Sequence, residues 1–286
     1  MFEMKLGYFT NDESFPLFIQ YGYHDEGIFR HKHKDFSELV IVIKGSANHI
    51  VDDEKFYIKK GDVFVISNDT IHGYEETENF RIINIMYRPE ILFSADYDIK
   101  KSAGFHALFV LEPYCTKEHG FKSRLGLKPK DFDRINVLID FMVSEYANKA
   151  DGWQTLLGAN FMILVTILSR LYSFDDRPEK SNIINIAKSI SYIENHYTED
   201  ISIDVLAETS HYSSRHFSRI FSETYNTTPL NYILSLRINK ACRLLKERGL
   251  TISDVAFQCG FSDNNYFSRI FKKRVGLTPK QFRVSQ

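Results

Sequence analysis

Residues 252–279 read Ile252-SDVAFQCGFSDNNYFSRIFKKRVGLT-Pro279, and an imperfect copy precedes them as Ile203-DVLAETSHYSSRHFSRIFSETYNTT-Pro229. The offset is 49 residues through Ser213/Ser262 and 50 from Phe217/Phe267 onward, so the second copy is expected to carry one extra residue just inside its second helix. Each copy reads as a short helix, a tight turn and a longer helix. Phe217, Ile220 and Phe221 fall at i, i+3 and i+4, one face of a helix; Phe267, Ile270, Phe271 and Val275 repeat that stripe. Ser213 and Ser262 stand where N-caps are wanted. Ala207 and Ala256 are small enough for the close approach of two helices across a turn. Gly260 suits a left-handed turn residue, and His211 at the matching place should cost about 1 kcal/mol.

The opposite face of each longer helix is polar. It carries Arg215, Ser218 and Arg219 in the first copy, and Asn265, Ser268 and Arg269 in the second. Arginine forks onto guanine O6/N7 and asparagine pairs with adenine N6/N7, so these side chains suit base edges in a major groove. Lys272 and Lys273, followed by Arg274, suit phosphates, which position a protein without specifying sequence. A helical bundle with merely solvated outer faces would explain one such unit. Two matched copies with arginine in the same register argue against it.

With the lead-in helix Arg237-INKACRLL, residues 182–286 resemble the DNA-binding domain of the AraC/XylS family of bacterial transcription regulators. The resemblance implies two helix-turn-helix units that meet neighbouring major-groove segments about one turn apart. Carried over by position, it places base reading on Arg215, Ser218 and Arg219, and on Asn264, Asn265, Ser268 and Arg269. Charge agrees. Residues 182–286 hold 14 Lys+Arg and 9 Asp+Glu, net +5, whereas the rest holds 22 and 28, net −6.

The N-terminal part reads as strands: Leu39–Ile43, then Lys44-Gly45 as a turn, Phe56–Ile58, a turn at Lys60-Gly61-Asp62, Val63–Ile66, and Phe80–Tyr87. Short strands at this spacing suggest a sandwich or barrel. Within them, His31-x-His33-x4-Glu38-x6-Gly45 fits the first cupin motif, and Gly61 followed by His72 fits the core of the second. The second motif is degraded: Ser67 stands for its proline, Asp69 for its glycine, and no asparagine follows His72. Two histidines two apart on a strand share a face, and a carboxylate and a third histidine would complete a facial metal site. His31, His33, Glu38 and His72 are therefore read either as ligands of a divalent metal or as polar lining of an effector pocket or hydrogen-bonded core residues; no cofactor is required. The stretch His31-KHKDFSELVIVIK-Gly45, with Ile71-HGYEETE-Asn79 and Asn84-IMY-Arg88, also resembles regulators of L-rhamnose operons. That resemblance implies a small sugar effector such as L-rhamnose.

Between these parts, Pro129–Tyr146 and Trp153–Tyr172 show helical periodicity, the first with a stripe of Phe132, Ile135, Leu138, Ile139 and Met142. An intramolecular helix pair and a dimer interface explain them about equally, and the family resemblance favours a homodimer. The expected organisation is multidomain α+β. A cupin-like effector-binding β-barrel at 1–95 is followed by a helical dimerisation region at 96–175 and a linker at 176–181. An all-α domain with two helix-turn-helix units completes the chain at 182–286. Three scattered cysteines, Cys115, Cys242 and Cys259, make a disulfide framework unlikely to be the organising device. The apolar stretch Phe161–Leu168 is expected to be too short to cross a bilayer, so no membrane partner and a cytoplasmic location are expected. The sequence reads as a DNA-binding regulator, an activator working with double-stranded DNA, a small effector and RNA polymerase, with no catalytic residues. Two alternatives remain: a cupin metalloenzyme acting on a sugar with an ancillary DNA-binding domain, and a constitutive DNA-bending protein without effector.

Overall fold

A computed structural model describes residues 2–10, 12, 14–68, 70–93, 97–114, 124–174, 181–247 and 249–285. Cys115, Asp69 and most of the expected linker lie outside them. The chain divides into two compact units, Met1–Ala187 and Lys188–Gln286.

The first unit is built on one eight-stranded sheet: β1 (Phe2–Met4), β2 (Leu17–Tyr23), β3 (Ile28–His33), β4 (Ser37–Val51), β5 (Glu54–Lys59), β6 (Asp62–Ile66), β7 (His72–Tyr87) and β8 (Leu125–Gly126). All pairings are antiparallel except β1 with β3. β4 and β7 pair along their lengths, from Val51↔His72 to Ser37↔Tyr87. β3 joins β7 near its start and β2 joins its end. Along β4, β6 pairs with the first half and β5 with the second.

Lys44-Gly45 is not a turn. It lies inside the 15-residue β4, at register shifts that bend the strand. Gly45 has φ +71°, and a Cβ there would lie 2.0 Å from the Glu78 carbonyl oxygen, so only glycine lets β7 pass so close. The turn at Lys60-Gly61-Asp62 is present, closed by the Lys59 N–H donating to Asp62 Oδ2 at 3.0 Å. One sheet face gathers Val40, Val42, Ala47, Val51, Ile58, Phe64, Ile66, Tyr74, Phe80 and Ile82 into a buried cluster.

After β7 come α1 (Glu90–Phe93), α2 (Ala103–Phe105) and its π-helical continuation α3 (His106–Leu111). Residues 96–175 also contribute β8, which extends the sheet through Val63↔Leu125. The helix pair follows as α4 (Pro129–Asn148) and α5 (Trp153–Ser173). Phe132, Ile135, Ile139 and Met142 are buried as their stripe requires, and Leu138 is half-buried. α5 corrects the expected short apolar window. It runs 21 residues and is long and apolar enough, by length and composition, to cross a membrane. Thr166 does not interrupt it, because its hydroxyl donates to the Met162 carbonyl one turn back at 2.8 Å. Leu157, Phe161, Leu164, Val165, Leu168 and Tyr172 are buried within the first unit and form one face of the helix, whereas Leu156 and Ile163 are exposed.

The division falls within α6 (Ser181–His196), and the second unit is otherwise helical: α7 (Ile203–Ser210), α8 (Ser214–Tyr225), α9 (Pro229–Leu244), α10 (Ile252–Gln258), α11 (Asn264–Val275) and α12 (Pro279–Val284). The repeat is visible in its caps. Thr228-Pro229 and Thr278-Pro279 both place a threonine cap before proline in the first turn. Cys242 and Cys259 are free thiols, and burial pushes the Cys259 thiol up to about 11.

Candidate nucleic-acid interface and effector pocket

Each reader unit closes its turn on a left-handed residue. His211 has φ 58°, and its N–H reaches the carbonyls of Ala207 and Glu208. Gly260 has φ +84°, and a Cβ there would meet the Thr198 carbonyl oxygen at 2.4 Å. The longer helix then starts at different depths. Ser213 caps α8, accepting from the His216 N–H at 3.3 Å. α11 is capped by Asp263, which accepts from the Tyr266 N–H, and not by Ser262. The extra residue of the second copy therefore lies in the turn between Gly260 and Asp263, not inside the helix. A helix cannot absorb one residue without rotating its buried stripe by about 100°, whereas a surface turn can.

The stripes point inward as expected. Phe217, Ile220, Phe221, Phe267 and Phe271 are buried, with Ile270 and Val275 half-buried. On the other face Arg215, Arg219, Asn264, Asn265, Arg269, Lys272 and Lys273 are exposed, and Ser218 and Ser268 are half-buried. Two of these side chains are engaged within their own unit. Arg219 Nη1 donates to Glu223 Oε2 at 2.9 Å, and Asn264 Nδ2 donates to Ser253 Oγ at 2.8 Å. The latter matches a tie in the first helix-turn-helix copy, where the Ser214 hydroxyl donates to Asp204 Oδ1 at 2.5 Å. Arg269 lies over the Tyr266 ring, 5.5 Å from its centroid.

The other cluster is deep in the first unit. His31, His33, Glu38 and His72 are all at most 4% exposed. Alternation on β3 puts His31 and His33 on one face, and register places His31 directly opposite His72. His33 Nε2 and His72 Nε2 share a hydrogen bond at 3.1 Å, with Glu38 Oε2 at 3.7 Å from the first and 3.9 Å from the second. His31 Nδ1 donates to the Phe29 carbonyl at 3.0 Å, which turns its Nε2 away from that strand. His49 joins them from β4, its Nε2 3.4 Å from His72 Nδ1 and its ring stacked on Phe64.

Burial sets the charges here. It pushes His33 and His49 down to about 3, with His31 adding to both and Arg124 also acting on His49. Burial holds His72 well below its ordinary value, followed by the effect of His33, His31 and His49. His31 is lowered too, against its bond to Phe29. Burial alone pushes Glu38 up to about 8. Burial thus favours the uncharged forms of these imidazoles and of this carboxyl. His33 Nδ1, the Tyr74 hydroxyl and Asn84 Oδ1 are buried without a hydrogen-bond partner.

Comparison with known proteins joins the two sites. Residues 17–123 match the AraC-like ligand binding domain, and residues 206–285 match a helix-turn-helix domain. The chain belongs to the AraC/XylS family. It is 27% identical over 278 residues to the HTH-type transcriptional activator RhaR of Pectobacterium carotovorum, covering 96% of this chain and 93% of that one. The HTH-type transcriptional activator RhaS of Escherichia fergusonii is 26% identical over 258 residues, covering 90% and 88%. Among solved structures, the C-terminal domain of the response regulator yesN from Fusobacterium nucleatum is 36% identical, covering 33% of this chain and 93% of that one, with a TM-score of 0.32.

As an AraC-family regulator, the protein combines a small-molecule domain with a DNA-binding one. The sequence reading of this cluster did not include His49. Its signal was the alternation Ala47, His49, Val51, which places it in phase with two core residues. His31, His33 and His72 are of the kind that ligates cations and offer ligand atoms all within 4.8 Å of one another, a looser set than the about 3.3 Å between nitrogens around a tetrahedral cation. His72 and His31 each have the second ring nitrogen against a partner, as metal-bound imidazoles do.

Proposed function

We propose that this protein is a transcription activator whose β-domain takes a small neutral sugar and whose two helix-turn-helix units read adjacent major-groove segments. Arg215, Ser218 and Arg219 on α8, and Asn264, Asn265, Ser268 and Arg269 on α11, contact bases; Lys272 and Lys273 hold phosphates. The observation that carries the DNA part is the duplicated geometry: two helices with the same buried aromatic stripe present polar outer faces in the same register.

The sugar part rests on the pocket's charge. Imidazoles and a Glu38 carboxyl whose burial favours the neutral form, with unpartnered polar atoms at His33, Tyr74 and Asn84, suit hydroxyl groups. The likeness to L-rhamnose operon regulators supports the same class. Effector binding shifts the population of DNA-competent protein. Gel shifts and promoter output across neutral sugars including L-rhamnose, with sugar acids and sugar phosphates in parallel, test this. A response to a neutral sugar alone is expected; a response confined to an acid or phosphate rules the sugar reading out.

A divalent cation is the second reading of the pocket, favoured by the convergence of His31, His33 and His72 beside Glu38. Bound there, it would supply a Lewis-acidic centre for hydroxyl ligands. Elemental analysis of protein purified with supplemented metal separates the two readings: near-stoichiometric metal, lost in His33→Ala, supports the cation. The protein acts as a homodimer in the cytoplasm and meets RNA polymerase at its promoters. The exposed Val137, Phe141, Leu156 and Ile163 of α4 and α5 support dimerisation, and sedimentation of the full chain tests it.

A further inference from the structure

α9 joins the two helix-turn-helix units, and its Arg237 reaches the turn of the second and the α6–α7 segment that leads into the first. Nε donates to the Tyr197 carbonyl at 2.6 Å and Nη2 to the Glu199 carbonyl at 2.7 Å. Both carbonyls belong to the segment between α6 and α7, where the chain enters the first unit. Nη1 donates to the Gly260 carbonyl at 2.7 Å, in the turn of the second unit. The guanidinium also lies 5.7 Å from the centroid of the Phe261 ring in that turn.

Two further ties run along the same seam. Lys240, one turn on from Arg237, donates to the Gln258 carbonyl at the end of α10, at 2.9 Å. Arg274 of α11 donates back to Ser235 Oγ at 2.7 Å and to Asn231 Oδ1 at 3.1 Å on α9. The carbonyls that Arg237 and Lys240 take lie just past or at helix C-termini. There the backbone oxygens lack intrahelical donors and the helix dipole favours a cation. Gly260 completes the seam from below, since its missing Cβ lets the turn lie on Thr198. A planar fork with five donors can hold three carbonyls at once; an ammonium is a point charge without that geometry.

We propose that Arg237 is a positioning residue for DNA reading: it fixes the turn of the second unit to the entry of the first, so the two reading helices keep one separation and orientation. This rests on the reading of α8 and α11 as the DNA-contacting helices. A helix in a major groove must meet its bases within a fraction of a turn of the duplex, so two helices read cooperatively only when their mutual geometry is set beforehand.

The test uses the full chain and a duplex selected with it from a random library. Versions of that duplex carry one to five extra base pairs between the two protected segments, and another has the second segment randomised. Wild-type protein is expected to prefer the original spacing by about tenfold or more, close to 1.4 kcal/mol. Arg237→Lys is expected to lower affinity for the original spacing toward that for the inserted and one-segment duplexes, leaving the latter within about twofold of wild type. A merely structural role predicts equal losses on every duplex, and an unchanged ratio would overturn the proposal. If Arg237→Lys fails to fold by circular dichroism, Lys240→Met decides: a spacing preference weakened about threefold supports it, and an intact preference sinks it. Failure of wild-type protein to select any duplex removes the DNA-reading assignment itself, and this proposal with it.

Discussion

In the first reader unit the turn is closed by His211, the helix capped by Ser213, and Ser214 tied to Asp204. In the second the same places are taken by Gly260, Asp263, and Asn264 tied to Ser253. The last turn of α8 contains no basic residue and carries Glu223, which holds Arg219; the last turn of α11 carries Lys272, Lys273 and Arg274. The two units share a core and a set of positions, whereas the groups at those positions differ. The core is what defines a helix-turn-helix, and the end groups set how strongly each copy engages a polyanion. The second unit should therefore contribute more phosphate binding than the first.

The largest effects should be common to both units, because they fall on the shared core. Phe217→Ala and Phe267→Ala each remove a fully buried ring and should cost about 3–5 kcal/mol of stability. Thermal or urea unfolding that shows one much milder than the other would break the equivalence of the cores. Next comes the difference in reading. Arg269→Ala should weaken specific binding by about 1–3 kcal/mol and relax preference at one base position. Arg219→Ala should cost less, since that guanidinium gives up its ion pair with Glu223 to reach a base. Gel shifts ranking Arg219→Ala above Arg269→Ala would reverse the assignment of the stronger reader.

Lys273→Ala should weaken all sequences alike and reduce the slope of affinity against salt by about one. A sequence-dependent loss there would mean a base contact. The smallest effect concerns the turn. His211→Gly should stabilise the protein by about 1 kcal/mol, because it removes a side chain from a left-handed residue. Gly260→Ala should destabilise it, as its Cβ meets the Thr198 carbonyl. Equal shifts of midpoint in the two variants would show that the two turns are not the same device.

The reader domain was legible because its period-3.6 stripe is written twice, so each copy checks the other. The displaced cap escaped because Ser262 matches Ser213 by sequence, and the competing Asp263 is an equally good acceptor one residue later. In the first unit, Phe80–Tyr87 was readable as the end of a strand that begins at His72. Its earlier part, Glu75–Asn79, is polar and takes left-handed conformations at Glu76 and Asn79, which hides it from an apolar alternation. Gly45 misled for the related reason that a left-handed glycine inside a bent strand looks, in sequence, like a turn. His31, His33, Glu38 and His72 were legible from spacing, and the structure brings all four together. Their protonation was not legible, since it comes from burial by residues distant in the chain.

The pairing of β4 with β7 has a consequence for the order of events after synthesis. Their partners lie 21 positions apart at Val51↔His72 and 50 apart at Ser37↔Tyr87, so the sheet closes only after long stretches of chain have met. Folding slows as contacts become less local, from microseconds–milliseconds in helical bundles to milliseconds–seconds in sheets of this kind. The helical unit, though made after the sheet, should reach its native form soon after it leaves the ribosome. Newly made chains would then carry a finished reader for an interval while the sheet that houses the pocket is still forming.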